Sequence, residues 1–486
     1  MKYPLLWVTL LYVLTAKGHI EVIDTEYSLR TAHSIIEEGS LSIKPVDSNL
    51  ESSGDNASVS DKFYSQYGIG ILAIFVPVVG ISKIISSLSG IEETLLTHFI
   101  LSFYNIPFAI LGLYYFRNIL QSLGQNSEVS NFFMICLGFG TIFWKYVVTD
   151  FSEVTQISLL LGAINFYLQK YNNNKWFYIS FHLSFLVLLK LVYIVIIPPF
   201  IVLAIIEGKT IRLIYKYLVQ GATFLIPSSL LLMFANHARF GSIFETGYGN
   251  AQSAFSFSYF MRDWSDYIIS FDRGILPYSP IILAAIIVTP IFYKKNKSAL
   301  FLISYIVITL YILMSSWIGW KGGYCWGNRN LVPIVPVICI LWSFIEWKNL
   351  YHRQVFLMLL CISIPVQIIA ISLKTHEWSV LSFEFSDHPD PFYKPNELIG
   401  SVLLFKEKLT NSSGIYNANY FVPEHSHQIN LANYDSFYGF NYWFVHASKM
   451  FTPSWVGFIG NLTLLIVILL LVFVFYKFYP KSSTIN

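Results

Sequence analysis

The sequence predicts an all-α, polytopic transmembrane bundle of about twelve spans with a large first external loop carrying juxtamembrane helices. Three observations carry this. Only 12% of the 486 residues are charged and 55% are hydrophobic, whereas a soluble domain carries about 25% charge. Apolar runs of roughly 17 to 25 residues, long enough to cross a bilayer as helix, recur along the chain. Lysines and arginines collect in the short connections between these runs, as they do in cytoplasmic loops. The net charge of +3 is not gathered into the basic stripe of a nucleic-acid binder. Cys136, Cys339 and Cys361 lie in apolar runs and Cys325 in a polar loop, so neither a disulfide framework nor a CxxC metal site is expected.

The first apolar stretch, Tyr3 to Ala16 after Lys2, has the length of a signal peptide. Lys17-Gly18-His19 offers no small-x-small cleavage site, so a retained span with a cytoplasmic N-terminus is expected. The polar region that follows belongs to an external loop, 20–94. Its apolar run 68–88 contains Gly68, Gly70, Pro77, Gly80 and Lys83. If that run stays on the outer surface, the basic residues of the later connections share the side of Lys2. They are Arg117, Lys170, Lys175, Lys209, Arg212, Lys216, Lys294, Lys295, Lys297, Lys348, Arg353, Lys477 and Lys481. The competing topology makes 68–88 a span and turns the first helix round, placing Asp24 in the cytoplasm.

Further apolar runs lie at 95–116, 131–149, 153–169, 176–189, 191–206, 217–235, 277–293, 298–315, 331–347, 355–373 and 454–476. Residues 1–347 are expected to form a catalytic transmembrane module. Residues 348–486 add C-terminal spans and an external segment, 374–452, rich in His, Tyr, Asn and Phe, which reads as a small lid or cap.

A charge near the bilayer core costs a few kcal/mol, which makes each such residue a functional candidate. Asp24 and Glu26 follow the first span. Asp150 and Glu153 stand three apart at a helix start and face one way, although acids there also cap free N–H groups and complement the helix dipole. Lys145 reads as a snorkelling side chain. Lys190, at a hinge before Pro198-Pro199, is better placed to hold an anion. External loops add Arg239 in Asn236-His237-Ala238-Arg239-Phe240-Gly241 and Arg273 in Asp272-Arg273-Gly274. The stretch Trp317 to Asn330 brings Trp320 as a stacking face and Arg329 as a bidentate clamp. An interfacial aromatic belt with a glycine turn explains its tryptophans equally well.

The order of these features resembles the GT-C glycosyltransferases, multi-span enzymes that take a sugar from a polyprenyl-phosphate carrier. Asp24 to Gly39, then Phe63-Tyr64-Ser65-Gln66-Tyr67-Gly68-Ile69-Gly70 and Pro77, is similar to their first external loop. The branch most resembled holds the protein O-mannosyltransferases and the aminoarabinose transferase of lipid A. Phe151-Ser152-Glu153, Lys190 before a proline-containing span, Asn236 with Arg239-Phe240-Gly241, Arg273-Gly274, and Trp320 with Gly322-Gly323 and Gly327-x-Arg329 look like later landmarks. The resemblance covers about residues 5 to 345.

It implies that an acid of the first external loop is the general base. Relatives place adjacent Asp-Glu there, whereas Thr25 separates Asp24 from Glu26 here, so either can serve. Asp150 and Glu153 become a second acidic site and Lys190 the phosphate ligand. Tyr64, Tyr67, Arg239, Arg273, Trp320 and Arg329 become substrate contacts. The implied partners are a polyprenyl-phosphate-linked sugar donor and a lipid, glycan or protein acceptor, in the plasma (inner) membrane of a cell envelope. No cofactor is obligatory, although some relatives hold a divalent metal beside the acids. Two other classes fit parts of the pattern. A transporter or flippase suits intramembrane lysines and prolines, though no internal repeat is visible, and a polysaccharide polymerase or ligase shares the carrier.

Overall fold

The structure, a computed structural model, describes residues 3–43, 56–59, 62–169, 172–248, 255–286, 288, 296–319, 322–323, 325–375, 377–378, 397–410, 415–417, 428–430, 440–451 and 455–480. Trp320, most of 374–452, and Lys2, Lys170, Lys294, Lys295 and Lys481 lie outside the described residues.

Helix α1 (Pro4–Thr15) opens on a proline, whose fixed φ and missing N–H suit a first helical turn. Helix α2 (Ile23–Glu38) follows and is stopped by Gly39 at φ 63°, a left-handed conformation that glycine adopts without strain. Strands β1 (Ser42–Ile43), β2 (Asn56–Val59) and β3 (Lys62–Ser65) form an antiparallel sheet in the order β1-β3-β2, and β4 (Ile415–Asn417) pairs with β5 (Gln428–Asn430). These two small sheets depart from the all-α expectation. Strands of two to four residues are too short to show an alternating pattern.

Helices α3 (Leu72–Ser89) and α4 (Glu93–Leu101) form a layer with α2. Tyr67 meets Asp24, and Lys83 meets Glu37 at 2.7 Å, so α3 runs parallel to α2. The pairs His33–Glu93 and Glu26–His98, at 3.5 and 3.4 Å, bring α4 back antiparallel along the same helix. Then come α5 (Asn105–Ser122), α6 (Ser127–Gly140), α7 (Phe143–Val147), α8 (Glu153–Leu168), α9 (Lys175–Leu189), α10 (Ile197–Glu207) and α11 (Ile211–Phe240). After short helical turns between 257 and 283, the chain continues in α12 (Lys297–Ser315), α13 (Leu350–Ser372), α14 (Glu397–Thr410), α15 (Trp443–Phe451) and α16 (Val456–Phe478).

Among the described residues, six helical stretches are long and apolar enough to cross a membrane, and the shorter apolar helices run from 10 to 17 residues. The chain is a multi-pass membrane protein. The expected count of about twelve set the run 68–88 on the outer surface and counted the other apolar runs as crossings. Runs 153–169 and 176–189 fold instead as helices of 16 and 15 residues, shorter than the roughly 20 that a 30 Å hydrocarbon layer requires.

Helix α8 is buried along nearly its whole length between α5 and α9. Small residues make this close packing feasible, as is usual where helices meet within a bilayer. A Cβ on Gly112 would stand 3.4 Å from the Ser158 backbone, and one on Gly162 would stand 2.2 Å from the His182 ring. Residues from both sides of position 347, including Phe133, Trp342, Phe356 and Val467, share one core.

Gly162→Val should therefore push α8 and α9 apart and destabilise the fold by about 1–3 kcal/mol, read as a lower melting temperature in detergent. Gly221→Ala, where an added Cβ meets nothing within 4 Å, should melt with the wild type or slightly above it. Equal melting of both variants would show that the α8–α9 contact is not close.

Candidate active site

Asp24 sits in the first turn of α2, where the helix dipole favours an anion. Tyr67 Oη donates to its Oδ1 at 2.7 Å, and Arg329 Nη1 donates to its Oδ2 at 2.8 Å. Burial and the Asp24 charge push the Tyr67 hydroxyl up, so it remains a donor. The Arg329 guanidinium also lies 5.2 Å from the Phe151 ring centroid, an arrangement that fixes its plane. Asp24 keeps 25% of its side chain exposed and Arg329 keeps 16%, so the pair borders an open space rather than the core.

Asn330, beside Arg329, extends the cluster. Its Oδ1 lies 3.4 Å from Lys190 Nζ. Lys190 occupies the extended break between α9 and the helical turn 191–196, so its ammonium leaves the helix line. The glycines before α3 bring Tyr67 to the same place. A Cβ on Gly68 would stand 2.1 Å from the Leu189 carbonyl oxygen, and one on Gly70 would stand 2.8 Å from Leu188, so only glycine lets this segment lie against the end of α9. Glu153, in the first turn of α8, faces the cluster, and its charge and those of Asp24, Lys190 and Arg329 act on one another. Among the described residues, Glu153 Oε2, Arg329 Nε and Asn330 Nδ2 are buried without a hydrogen-bond partner.

No protein-family model matches the sequence, and no curated protein is similar to it. Solved structures are similar in fold. ArnT from Cupriavidus metallidurans, crystallised bound to undecaprenyl phosphate, superposes with a TM-score of 0.50 at 12% identity over 97% of this chain and 76% of its own. This chain has the GT-C fold. An oligosaccharyltransferase from Archaeoglobus fulgidus, crystallised with Zn and sulfate, gives a TM-score of 0.49 at 10% identity over 82% of this chain and 58% of its own.

Within this GT-C fold the remaining candidates hold loops in place. Asp150 accepts the backbone N–H groups of Glu21 and Val22 at 3.0 and 3.1 Å, while its carbonyl accepts the hydroxyls of Thr25 and Tyr104. Asn105 Nδ2 donates to the carbonyls of Thr149 and Phe151 at 2.8 and 2.7 Å. Arg239 donates to the carbonyls of Ser65 and Tyr67 at 2.9 and 3.0 Å. Arg273 donates to those of Gly323, Cys325 and Gly327, which lead into Arg329. The substrate contacts expected of Arg239 and Arg273 are thus met by buried backbone carbonyls. Glu26 faces Arg30 at 2.9 Å and His98 at 3.4 Å; the His98 hydrogen bond, with Arg30 and against burial, lowers its carboxyl to about 2. Tyr64 packs against Phe240 with ring centroids 6.3 Å apart. Asn330 and Glu21 were not singled out from the sequence; only their adjacency to Arg329 and to the first span could have marked them.

Asp24 belongs to no group of three metal-ligating side chains among the described residues. A guanidinium and a phenol already occupy its two oxygens.

Burial pushes the Asp150 carboxyl up to about 7, against the pull of the two N–H groups. The folded protein therefore keeps a proton that an unfolded aspartate releases near pH 3.9, and this contribution to stability is lost as pH rises through about 7. Thermal unfolding between pH 5 and 8 should show the wild type losing more stability with rising pH than Asp150→Asn does. Parallel curves would assign the dependence to another group.

Proposed function

We propose that this protein is an integral membrane glycosyltransferase. It moves a sugar from a polyprenyl-phosphate carrier to a hydroxyl or amine of a lipid, glycan or protein acceptor on the external face of the plasma membrane. The observation that carries the reading is the convergence of an acid, Asp24, with two cations, Arg329 and Lys190, joined through the adjacent Arg329 and Asn330. The GT-C fold shared with ArnT, whose crystal holds undecaprenyl phosphate, supports the choice of carrier.

In this mechanism the carrier phosphate lies between Lys190 and Arg329, with Asn330 steadying the ammonium. The acceptor oxygen or nitrogen attacks the anomeric carbon and gives its proton to Asp24. As the new bond forms, the bond between that carbon and the phosphate oxygen breaks with inversion, and the phosphate leaves with the electron pair. The two cations stabilise the charge that grows on it. A phosphate is a good leaving group, so no general acid is required. Asp24 is the base in preference to Glu26, because it stands beside Arg329 in the cluster, whereas Glu26 faces Arg30 and His98 outside it. The unpartnered Glu153 oxygen accepts a hydroxyl of the sugar or acceptor, while Asp150 positions the loop. The α2–α4 layer lies along the outer surface, and the N-terminus of α1 faces the cytoplasm together with the basic connections.

Purified protein in lipid nanodiscs, given a labelled polyprenyl-phosphate sugar and a panel of acceptors, should release the sugar to one of them. Asp24→Asn should lower turnover by about 10² to 10⁴-fold, Lys190→Ala should raise the donor KM, and the surface variant Glu37→Gln should match the wild type. In sealed vesicles, label that moves between leaflets with no sugar transferred would overturn the reading in favour of transport.

A further inference from the structure

Both members of the Asp24–Arg329 pair are backed by the C-terminal part of the chain. On the Asp24 side the link is Glu21, whose side chain is 1% exposed. Its Oε2 accepts Thr375 Oγ1 at 2.8 Å and the Thr375 N–H at 3.3 Å. Its Oε1 accepts Asn441 Nδ2 and lies 3.4 Å from His19 Nε2. The backbone N–H of the same residue donates to Asp150, and α2 begins two residues later. Asn441 is fixed in turn, since its N–H donates to the Ser372 carbonyl at 2.9 Å and its own carbonyl accepts Lys17 Nζ at 3.0 Å.

On the Arg329 side the link is Arg273. The guanidinium that holds the 323–327 carbonyls stands 3.3 Å from Glu397 at the start of α14, with both side chains at most 2% exposed. The Leu398 N–H donates to the Phe271 carbonyl beside it.

Burial would raise the Glu21 carboxyl, but the His19 hydrogen bond and the charges of Lys145 and Lys17 hold it well below the usual carboxylate range. Buried charge pairs of this kind add little stability compared with apolar contacts of the same size, yet breaking one is costly. They restrict geometry more than they strengthen a fold, and here both occur at the joints that lead into the two halves of the site.

We infer that the C-terminal segment is a positioning element of the active site, acting through Glu21 on Asp24 and through Glu397 and Arg273 on Arg329. What the positioned pair accomplishes rests on the transferase reading above. The segment's described residues act on the stretches from which the two reacting groups project.

Glu21→Ala and Asn441→Ala, singly and together, test the Asp24 arm in the full-length protein by two readouts. Hydrogen exchange followed by mass spectrometry should show faster exchange over residues 22–30 in each variant, with the rest of the bundle unchanged. Turnover should show kcat lowered by about tenfold or more, as expected for a displacement of an ångström or less, with the donor KM nearly constant. The double variant should be no worse than the more damaged single variant, because both cut one link. Glu21→Gln, which keeps one accepting oxygen for either Thr375 or Asn441, should recover part of the loss. If Glu21→Ala does not fold, Thr375→Val and Asn441→Ala carry the same test from the partner side. Wild-type exchange over 22–30 in folded variants, or activity lost only in proportion to folded protein, would overturn the inference. Should the wild type transfer no sugar, the exchange data still decide it, and the transferase reading fails separately.

Discussion

A loop beside an apolar bundle cannot leave its peptide groups bare, because an unpaired buried N–H or carbonyl forfeits about as much free energy as a hydrogen bond contributes. In this protein four side chains meet that requirement, and the geometry of the site follows from where they stand. Arg239 gathers the carbonyls of Ser65 and Tyr67, which aims the Tyr67 phenol at Asp24. Arg273 gathers three carbonyls of the glycine-rich loop, which delivers Arg329 to the same carboxylate. Asp150 holds the N–H groups just before α2, and Asn105 holds the turn that carries Asp150. The Asp24–Arg329 ion pair is the meeting point of three separately anchored loops.

This explains how residues that look alike in the sequence come to stand in different surroundings. Burial cost flags every charge near the bilayer without saying what neutralises it. A guanidinium that binds a phosphate and one that binds three carbonyls look alike in a sequence, since both are arginines among glycines and aromatics. Arg329 and Lys190 face the open cluster, whereas Arg239 and Arg273 face backbone, and only the fold distinguishes them. Asn330 escaped notice because a neutral amide in a polar loop carries no such flag. The acids show the same ambiguity: with Asp24 and Glu26 two apart on a helix, periodicity placed them on different faces, but the partners Arg30 and His98 were needed to show which one faces away.

The fold was legible to a similar depth. Apolar runs located the helices, because their length and hydropathy are set by the bilayer. The number of crossings was not legible, since a run can be interrupted by a break such as that at Lys190. The parallel course of α2 and α3 is seen in Lys83 meeting Glu37, a contact across a loop whose length periodicity does not constrain. The role of the C-terminal segment was hidden for the same reason. Its contacts with Glu21 span more than 350 residues, beyond the range of any local pattern.

The atoms left unpaired in the cluster give it chemical direction. A buried polar group without a partner costs about 1–3 kcal/mol. Here Glu153 Oε2 is an acceptor, while Arg329 Nε and Asn330 Nδ2 are donors. All three border a carboxylate and an ammonium that already have partners. A ligand that answers this set must present an anionic oxygen to the donors and a hydroxyl to the acceptor, close together on one small molecule. A bare phosphate supplies only the first and a neutral sugar only the second. Under the transferase reading proposed above, a sugar joined to a phosphate is the ligand that supplies both.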